Sequence, residues 1–402
     1  MNAERVTGDK SMKIDARKFE ATSGTNTLVM ALMAVGVITF AAGLVMSPDH
    51  MWHSYLVYHS LFMGLGIGAL FTLVAHYLAG AGWNVAVRRV TESFAHYILF
   101  AALFNVVLFA GLSRIYPWMN LSFMESEHVL RGKMGYFSTV FFSARVLVFF
   151  AVTCFFSWQL VGNSTKQDEE GGLELSLRQK PLSALCLVLF APLFTMFAID
   201  SIKSLDPRWF STMFGVYVFI GFVQAATAAI IVVVYWLQKR GYLSVVTADH
   251  YHDLGKYLLG WTIFWAYIGV SQYLLIWYAN LPEEITFYLL RQRPGWVWFT
   301  ILLPTVRFLL PFLLLLPRMA KRRPAYLVKI AYLVLFAAWL DVYWMIMPNF
   351  SPDSFGFSIW DIGMGLGFFG FFAFVVIRFL SKNNTVPVKD PYLHETLHHH
   401  VM

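Results

Sequence analysis

Ten long apolar runs divide the sequence, and this feature constrains the fold more than any other. Each run has about 20 residues or more, the length that an α-helix needs to cross the ~30 Å hydrocarbon layer of a membrane. The predicted spans 1 to 10 cover residues 25–46, 52–79, 91–112, 136–160, 181–200, 211–237, 254–278, 296–316, 325–347 and 355–380. Pro181 is expected to precede span 5, and Ser-Pro-Asp at 351–353 to break and cap the chain before span 10. The pattern predicts an all-α integral membrane protein with ten transmembrane helices.

Composition agrees with this class and argues against others. Hydrophobic residues make up 58% of the chain and charged residues 13%, whereas soluble domains have about 25% charged residues. The net charge of +7 comes largely from Lys and Arg in short segments between spans, which argues against nucleic-acid binding. With ten spans both termini share one side, which holds 19 of these basic residues against 7 on the other side. By the positive-inside rule, both termini are predicted to be cytoplasmic.

The cysteines limit the redox chemistry that the chain itself can hold. Cys154 and Cys186 both lie inside apolar runs, and the sequence has no CxxC or CxxCH motif. Such a chain is not expected to ligate an iron–sulfur cluster or to attach a c-type haem. The terminal segment HETLHHHVM is interpreted as a native tail, and no metal is assigned to it. Redox centres, where the function needs them, are therefore expected in partner proteins.

An internal repeat relates the two halves of the chain. Arg145 and Arg307 lie deep in spans 4 and 8, each nine residues after an aromatic residue at the start of the span. Asp200 and Asp341, at the ends of spans 5 and 9, each precede a proline by seven residues. Four spans separate the equivalent helices, so both units would have the same orientation. The predicted organisation is two parallel four-helix bundles, 52–205 (helices 2–5) and 206–350 (helices 6–9), flanked by peripheral helices 25–46 and 355–380, with cytoplasmic tails 1–24 and 381–402.

The repeat also predicts where the two buried charges find partners. An isolated charge in the membrane costs at least ~2.5 kcal/mol on insertion scales. Arg145 is therefore expected to pair with Asp200, and Arg307 with Asp341, in the outer half of the bilayer. Two interpretations of these pairs remain open. They hold helices together, or their carboxylates accept protons or bind a polar head group.

Two segments carry a family resemblance: DSIKSLDPRWFSTMFGVYVFIGF at 200–222 and DLGKYLLGWTIFWAYIGVSQYLLIWYANLPEEITFY at 253–288. Together with the ten helices and parallel units, they resemble the NrfD/PsrC-like family of quinone-interacting membrane subunits. Within that family they are similar to the membrane subunits of Alternative Complex III, a bacterial quinol:electron-acceptor oxidoreductase. The resemblance implies a place in the bacterial inner membrane, quinone or quinol as a ligand, and support of quinol oxidation, with proton translocation as a further role.

The resemblance also implies partners. These are an ActC-like membrane subunit, an iron–sulfur subunit and multihaem cytochrome c subunits, which would hold the iron–sulfur clusters and haem c. A cytochrome oxidase is a further expected neighbour, and lipids surround the helices. The chain is not expected to be an enzyme on its own, because electron transfer would require these partners.

The first unit offers four candidates for a quinone site. A quinol needs a His or carboxylate acceptor for each hydroxyl. The candidate acceptors are His53, His59 and Asp200, and the fourth candidate is Arg145, the expected partner of Asp200. Because His53 and His59 are six residues apart, about 1.7 helical turns, at most one of them is expected to face the bundle. His59 is the preferred residue, with Asp200 as its carboxylate partner. A hydrogen-bonded structural histidine is the plainer alternative.

The second unit offers candidates for a proton path. Asp341 and Arg307, with Tyr267 or Gln272, would form a half-channel from the outer side. The candidates on the cytoplasmic side are His76, His96, His252 and Asp253. These residues lie at or near helix ends, where polar residues are common, so solvated caps are the favoured interpretation for them.

Two other functions compete with a respiratory subunit. A solute or ion transporter with parallel repeats would be expected to have broken helices near the middle of the membrane. If the chain is a structural anchor, replacing Asp200 and Asp341 by Asn should leave turnover and proton release of the purified complex unchanged.

Overall fold

The computed structural model describes residues 17–401 and is almost entirely α-helical. Residues 1–16 of the predicted N-terminal tail and Met402 lie outside the described residues. Across residues 17–401, ten helices are long and apolar enough to cross a membrane. They are α1 Ser23–Met46, α2 Pro48–Ala79, α3 Val85–Ile115, α4 Thr139–Glu170, α5 Glu174–Leu205, α6 Phe214–Lys239, α7 Ala248–Ala279, α8 Val297–Leu315, α9 Pro324–Asn349 and α10 Ile359–Lys382. The predicted number of apolar helices is confirmed.

Several helices extend beyond their apolar runs. α4 continues to Glu170, and α5 begins at Glu174, so Pro181 lies inside α5 instead of preceding it. α10 begins at Ile359, and its N-cap is Ser358, not the serine at 351. The Pro181 expectation was wrong because hydropathy marks only the apolar part of a helix, whereas backbone hydrogen bonding continues into the polar turns beyond it. The α10 expectation was wrong in the other direction, because residues 351–358 are non-helical and the helix begins only after Ser358.

Short helices occupy the connections. They are Leu121–Glu125 and His128–Arg131 between α3 and α4, Pro282–Arg291 between α7 and α8, Arg318–Arg322 between α8 and α9, and Leu393–Leu397 after α10. We call Pro282–Arg291 the loop helix. The end of the molecule that carries residues 17–22 and 383–401 is the tail end, and the opposite end is the far end.

Three helices form the centre of the molecule. α2, α6 and α9 are the most buried of the ten, and α2 packs against α3, α5 and α6, while α6 packs against α7 and α9. α1 pairs with α10 so closely that a Cβ on Gly36 would overlap the backbone of Gly367. The outward faces are apolar, as at Val140 and Leu275. An apolar exterior on helices that satisfy their own backbone groups is the arrangement of a multi-pass membrane protein.

Candidate functional site

The Arg307–Asp341 ion pair lies at the centre of the second half of the molecule. Arg307 Nη1 donates to Asp341 Oδ2 at 2.7 Å, and both side chains are buried. The other guanidinium nitrogens also have acceptors, with Nε 2.9 Å from Gln224 Oε1 and Nη2 2.8 Å from the Gly221 carbonyl. The pairing predicted from the sequence is confirmed, and the cation is held by a charge and by neutral acceptors.

The backbone around Arg307 departs from a regular α-helix. Thr305–Leu309 forms a π-helical turn between Pro304 and Pro311. Prolines interrupt the α-helical hydrogen-bond ladder, and π-turns occur frequently at functional sites. The equivalent stretch around Arg145 is regular α-helix, so the two halves differ at this position.

Tyr217 joins the ion pair to a cavity. Its hydroxyl donates to Asp341 Oδ1 at 2.7 Å, and its ring lines the cavity. Trp265, which also lines the cavity, places its indole ring 5.1 Å from the Arg307 guanidinium. Sequence reasoning missed Tyr217. Tyr217 could have been predicted from its seven-residue spacing from Gln224, because that spacing puts both side chains on one face of α6.

The cavity lies between α7, α8 and the loop helix, and we call it the α7–α8 cavity. Its volume is about 620 Å³, within the range of about 300–1,000 Å³ typical of small-molecule sites. Most of its lining is apolar or aromatic, including Phe287, Phe308 and Trp344. Val270 and Ile301 line it and are exposed on the apolar exterior, so the cavity opens sideways between helices.

A second polar group lies in the same cavity. Gln272 accepts a hydrogen bond from the Ser211 hydroxyl and donates to the Tyr288 hydroxyl, both at 3.1 Å. Burial raises the pKa of Tyr288 to about 12, so its phenol stays protonated at neutral pH. Within the described residues the Tyr288 hydroxyl serves only as an acceptor in this arrangement, which leaves its proton for a bound ligand.

Tyr267 does not belong to this site. Its side chain is 64% exposed on the outer surface of α7, so the expectation that it lies beside Asp341 is wrong. Two residues along a helix correspond to a rotation of about 200°, so Trp265 and Tyr267 lie on nearly opposite faces. Both faces of α7 carry aromatic residues, and their pattern does not indicate which one faces inward.

Arg291 is a buried cation that the sequence placed in a loop. It donates to the backbone carbonyls of Trp344 at 3.0 Å and Met345 at 2.7 Å, near the far end of α9, and stacks over the Phe287 ring. Carbonyls at the C-terminal end of a helix favour a positive charge. Burial lowers the pKa of Arg291 to about 9, so it remains charged at neutral pH.

The first half holds a second Arg–Asp pair, and neither of its side chains lines the cavity of about 450 Å³ at the start of α4, which is lined by residues that include Trp118, Phe137 and Thr139. Arg145 binds Asp200 through two hydrogen bonds, Nε to Oδ2 at 2.7 Å and Nη2 to Oδ1 at 2.8 Å. The guanidinium also lies between the rings of Tyr136 and Phe141, at 3.9 and 4.2 Å. This predicted pairing is confirmed as well. Both Asp200 oxygens accept hydrogen bonds from Arg145, so this carboxylate serves to hold α4 and α5 together.

His59 does not pair with Asp200, which corrects the sequence expectation. Its Nε2 lies 3.3 Å from Asn105 Oδ1, and its buried Nδ1 has no partner among the described residues. The enclosed space beside it has a volume of about 10 Å³. That is room for about one water molecule, not for a quinone ring.

His53 and His59 are both buried, so the expectation that at most one faces the bundle is also wrong. His53 Nδ1 lies 2.7 Å from the Asp49 carbonyl, and its ring stacks on Phe350 at 4.4 Å. The six-residue spacing does place the two histidines on different faces. α2 is central, however, so neighbouring helices cover all of its faces.

The candidates at the tail end are less solvated than the sequence indicated. His76, His252 and Asp253 are buried, and His96 is partly buried against Phe379. Asp253 is covered by the segment 383–401, which folds back over the tail end and places His399 Nε2 2.5 Å from Asp253 Oδ2. His76 packs instead against Trp83 and Tyr257. Within the described residues, none of these four side chains contacts the Arg307–Asp341 pair. They do not form a continuous path with it.

Other buried charges at the tail end hold this segment in place. Arg88 pairs with Asp390 of the tail. Arg89 pairs with Glu92 at 2.5 Å and with Asp168 at 2.7 Å. Sequence reasoning counted Arg88 and Arg89 as loop residues. In the structure they lie on the first turns of α3 and are buried.

The fold and the site define a class: a polytopic α-helical protein that holds buried ion pairs, one of them beside an apolar cavity that opens sideways. Across residues 17–401 there is no group of three or more His, Cys, Asp or Glu side chains arranged to hold a metal ion. Comparison of the chain with models of known protein families gives no match, and comparison with curated proteins gives no significant similarity. The function is therefore argued from the site.

Proposed function

We propose that this chain is a membrane subunit of a bacterial quinol:electron-acceptor oxidoreductase, similar to the ActF subunit of Alternative Complex III, and that its α7–α8 cavity binds quinol. The observation that carries the proposal is the side-opening cavity with Tyr217 at its inner end, hydrogen-bonded to Asp341. A quinol combines a polar ring with an isoprenoid tail. The cavity matches both parts, because polar groups lie inside it and its opening meets the apolar exterior.

The residues support proton acceptance in the following way. The quinol hydroxyl donates to the Tyr217 oxygen, and the Tyr217 proton passes to Asp341 as the quinol gives up an electron. Arg307 pairs with Asp341 Oδ2, while Oδ1 accepts a hydrogen bond from the Tyr217 hydroxyl and is the oxygen that takes the proton. Oxidation of the quinol releases two protons and two electrons. One proton follows this relay, the other leaves to water on the outer side of the membrane, and the electrons would pass to haem or iron–sulfur centres of partner subunits.

The two-unit organisation belongs to the same proposal. We infer that helices α2–α5 and α6–α9 are parallel repeats, because each set packs its first helix against its second and fourth and carries one Arg–Asp pair. The excess of basic residues at the tail end supports a cytoplasmic location for that end in the bacterial inner membrane. The α7–α8 cavity would then open in the outer half of the bilayer, near partner subunits on the periplasmic side.

Binding of a short-chain quinone in its reduced, quinol form to the purified full chain tests this proposal. Trp265 and Trp344 line the cavity, so quenching of tryptophan fluorescence is the readout. We expect saturable quenching in wild type and a loss of affinity in Asp341→Asn, with little change in Asp200→Asn. The Asp200 variant is the matched control, because it removes the carboxylate of an equally buried ion pair that does not line the α7–α8 cavity. Equal binding by both variants and wild type would contradict the assignment.

A transporter is the second candidate, and the π-helical turn at Arg307 favours it, because transporters interrupt their helices at binding sites. Purification in mild detergent separates the two. Co-purifying c-type haem and iron–sulfur proteins support the respiratory subunit. A cofactor-free chain that moves a solute into liposomes supports the transporter.

A further inference from the structure

A second large cavity lies at the tail end, far from the proposed quinol site. Its volume is about 770 Å³, and it is open on one side. One wall is α7, and the opposite wall is formed by Trp83 and by the last described residues, 399–401. We call it the tail groove. Neither the ion pairs nor the proposed quinol chemistry uses it.

The floor of the tail groove is an apolar stripe along α7. Tyr257, Gly260, Trp261 and Phe264 line it at the spacing i, i+3, i+4, i+7 of a single helix face. The stripe runs about 10 Å along the helix, from the tail end towards the middle of the apolar region. A Cβ added to Gly260 would meet no atom within 4 Å, so the floor is open at its centre.

The rim of the tail groove is positively charged. Lys256 Nζ lies 2.6 Å from Asp253 Oδ1, and His399 Nε2 lies 2.5 Å from Asp253 Oδ2, so both oxygens of this carboxylate are engaged within the groove. Lys256 is 49% exposed and keeps further N–H donors, and His400 is 86% exposed. Arg318 binds the Val401 carbonyl at 2.9 Å and adds another cation at this rim.

We propose that the tail groove binds one anionic glycerophospholipid. The phosphate contacts Lys256 and His400 at the rim, and an acyl chain lies along the Tyr257–Phe264 face of α7. The groove is cationic at the tail end and apolar along α7. A membrane lipid is arranged in the same way, with its head group at the membrane surface and its acyl chains towards the middle. A soluble anion would leave the aromatic floor uncovered. Lys256 and Arg318 outnumber Asp253, the carboxylate that lines the groove, so an anionic head group balances the net charge of the rim better than a neutral one.

The C-terminal tail is part of the site, because His399, His400 and Val401 form one wall. Their position depends on contacts that the tail makes elsewhere, including the His250–Thr396 hydrogen bond of 2.9 Å. A purification tag for any test therefore belongs at the N-terminus. The proposal requires only that α7 lies in a membrane, so it does not depend on the quinol assignment.

Native mass spectrometry of the full chain in mild detergent tests the proposal, with phosphatidylglycerol and phosphatidylcholine titrated separately. We expect one phosphatidylglycerol to be retained with a preference of about fivefold or more over phosphatidylcholine, since each nearby basic residue contributes about that factor. Gly260→Leu should abolish this retention by filling the groove. Gly162→Leu is the matched control, because Gly162 is also helical and also has open space around it.

A second variant tests the rim without changing the floor. Lys256→Gln should reduce the preference for phosphatidylglycerol about fivefold. A wild-type chain that retains both lipids equally, or a Gly260→Leu chain that retains phosphatidylglycerol as wild type does, would overturn the proposal. Quinol binding at the α7–α8 cavity should be unchanged in both variants, so failure of one proposal is distinguishable from failure of the other.

Discussion

Replacing Asp200 by Asn should destabilise the protein more than replacing Asp341 by Asn, although both changes remove the same charge from the same kind of ion pair. In the first pair Arg145 donates to both carboxylate oxygens. An asparagine has only one oxygen, so its NH₂ group would face an N–H donor of Arg145. In the second pair Asp341 receives one donor from Arg307 and one from Tyr217. There the amide oxygen can accept from Arg307 while the NH₂ group donates to the Tyr217 oxygen, and the Tyr217 proton can turn toward the α7–α8 cavity that this residue lines.

The magnitude follows from this difference. Loss of the carboxylate charge opposite a buried arginine costs about 3–5 kcal/mol in either pair. Asp200→Asn additionally leaves a buried donor unsatisfied, which costs about 1–3 kcal/mol. The free energy of unfolding should therefore fall further in Asp200→Asn by about that second amount. Both pairs are buried, so neither loss is reduced by solvent screening.

Unfolding of each purified variant in mixed micelles, titrated with a denaturing detergent and followed by circular dichroism, measures the two changes. Asp200→Leu and Asp341→Leu serve as controls, because neither replacement can accept a hydrogen bond and the difference between the sites should then shrink. If Asp341→Asn is the more destabilising of the two amide variants, the hydrogen-bond geometry argued here is wrong.

Three further outcomes are expected. Tyr217→Phe should weaken quinol binding in the fluorescence assay about two- to tenfold, since a hydrogen bond between neutral groups contributes about 0.5–1.5 kcal/mol; Tyr267→Phe, on the exposed face of α7, should bind as wild type. Gly36→Ala should lower the free energy of unfolding by about 1–3 kcal/mol, because the added methyl overlaps the backbone of α10; Gly24→Ala, with open space around it, should leave the unfolding midpoint within error of wild type. Deletion of residues 383–401 should speed amide hydrogen exchange in the first turns of α7, which this segment covers, and unchanged exchange there would contradict the tail packing.

The buried ion pairs could be predicted from the sequence for an energetic reason. A deep arginine requires a partner, and the sequence places one aspartate in the apolar run that follows each arginine. Tyr217, by contrast, carries no such requirement, because a tyrosine in an apolar run is common in membrane proteins. Its contact with Asp341 depends on how α6 and α9 are rotated against each other, and that rotation is not encoded in the spacing of either helix alone.

The histidines of α2 also show what helical spacing can and cannot predict. Helical spacing correctly places His53 and His59 on different faces of α2. Whether both faces are buried depends on how many helices surround α2, and only the assembled bundle decides that. The burial of Asp253 likewise depends on the segment 383–401, which is distant from it in the sequence.

The sequence by itself determined the ten apolar helices and the two Arg–Asp pairs, because the length of an apolar run and the cost of an unpaired buried charge are local quantities. Tertiary structure decided which face of α7 points inward, where the two cavities lie, and which polar groups are covered. Those features arise from contacts between segments distant in the chain, and a helix with aromatic residues all around it can satisfy many such contacts equally well.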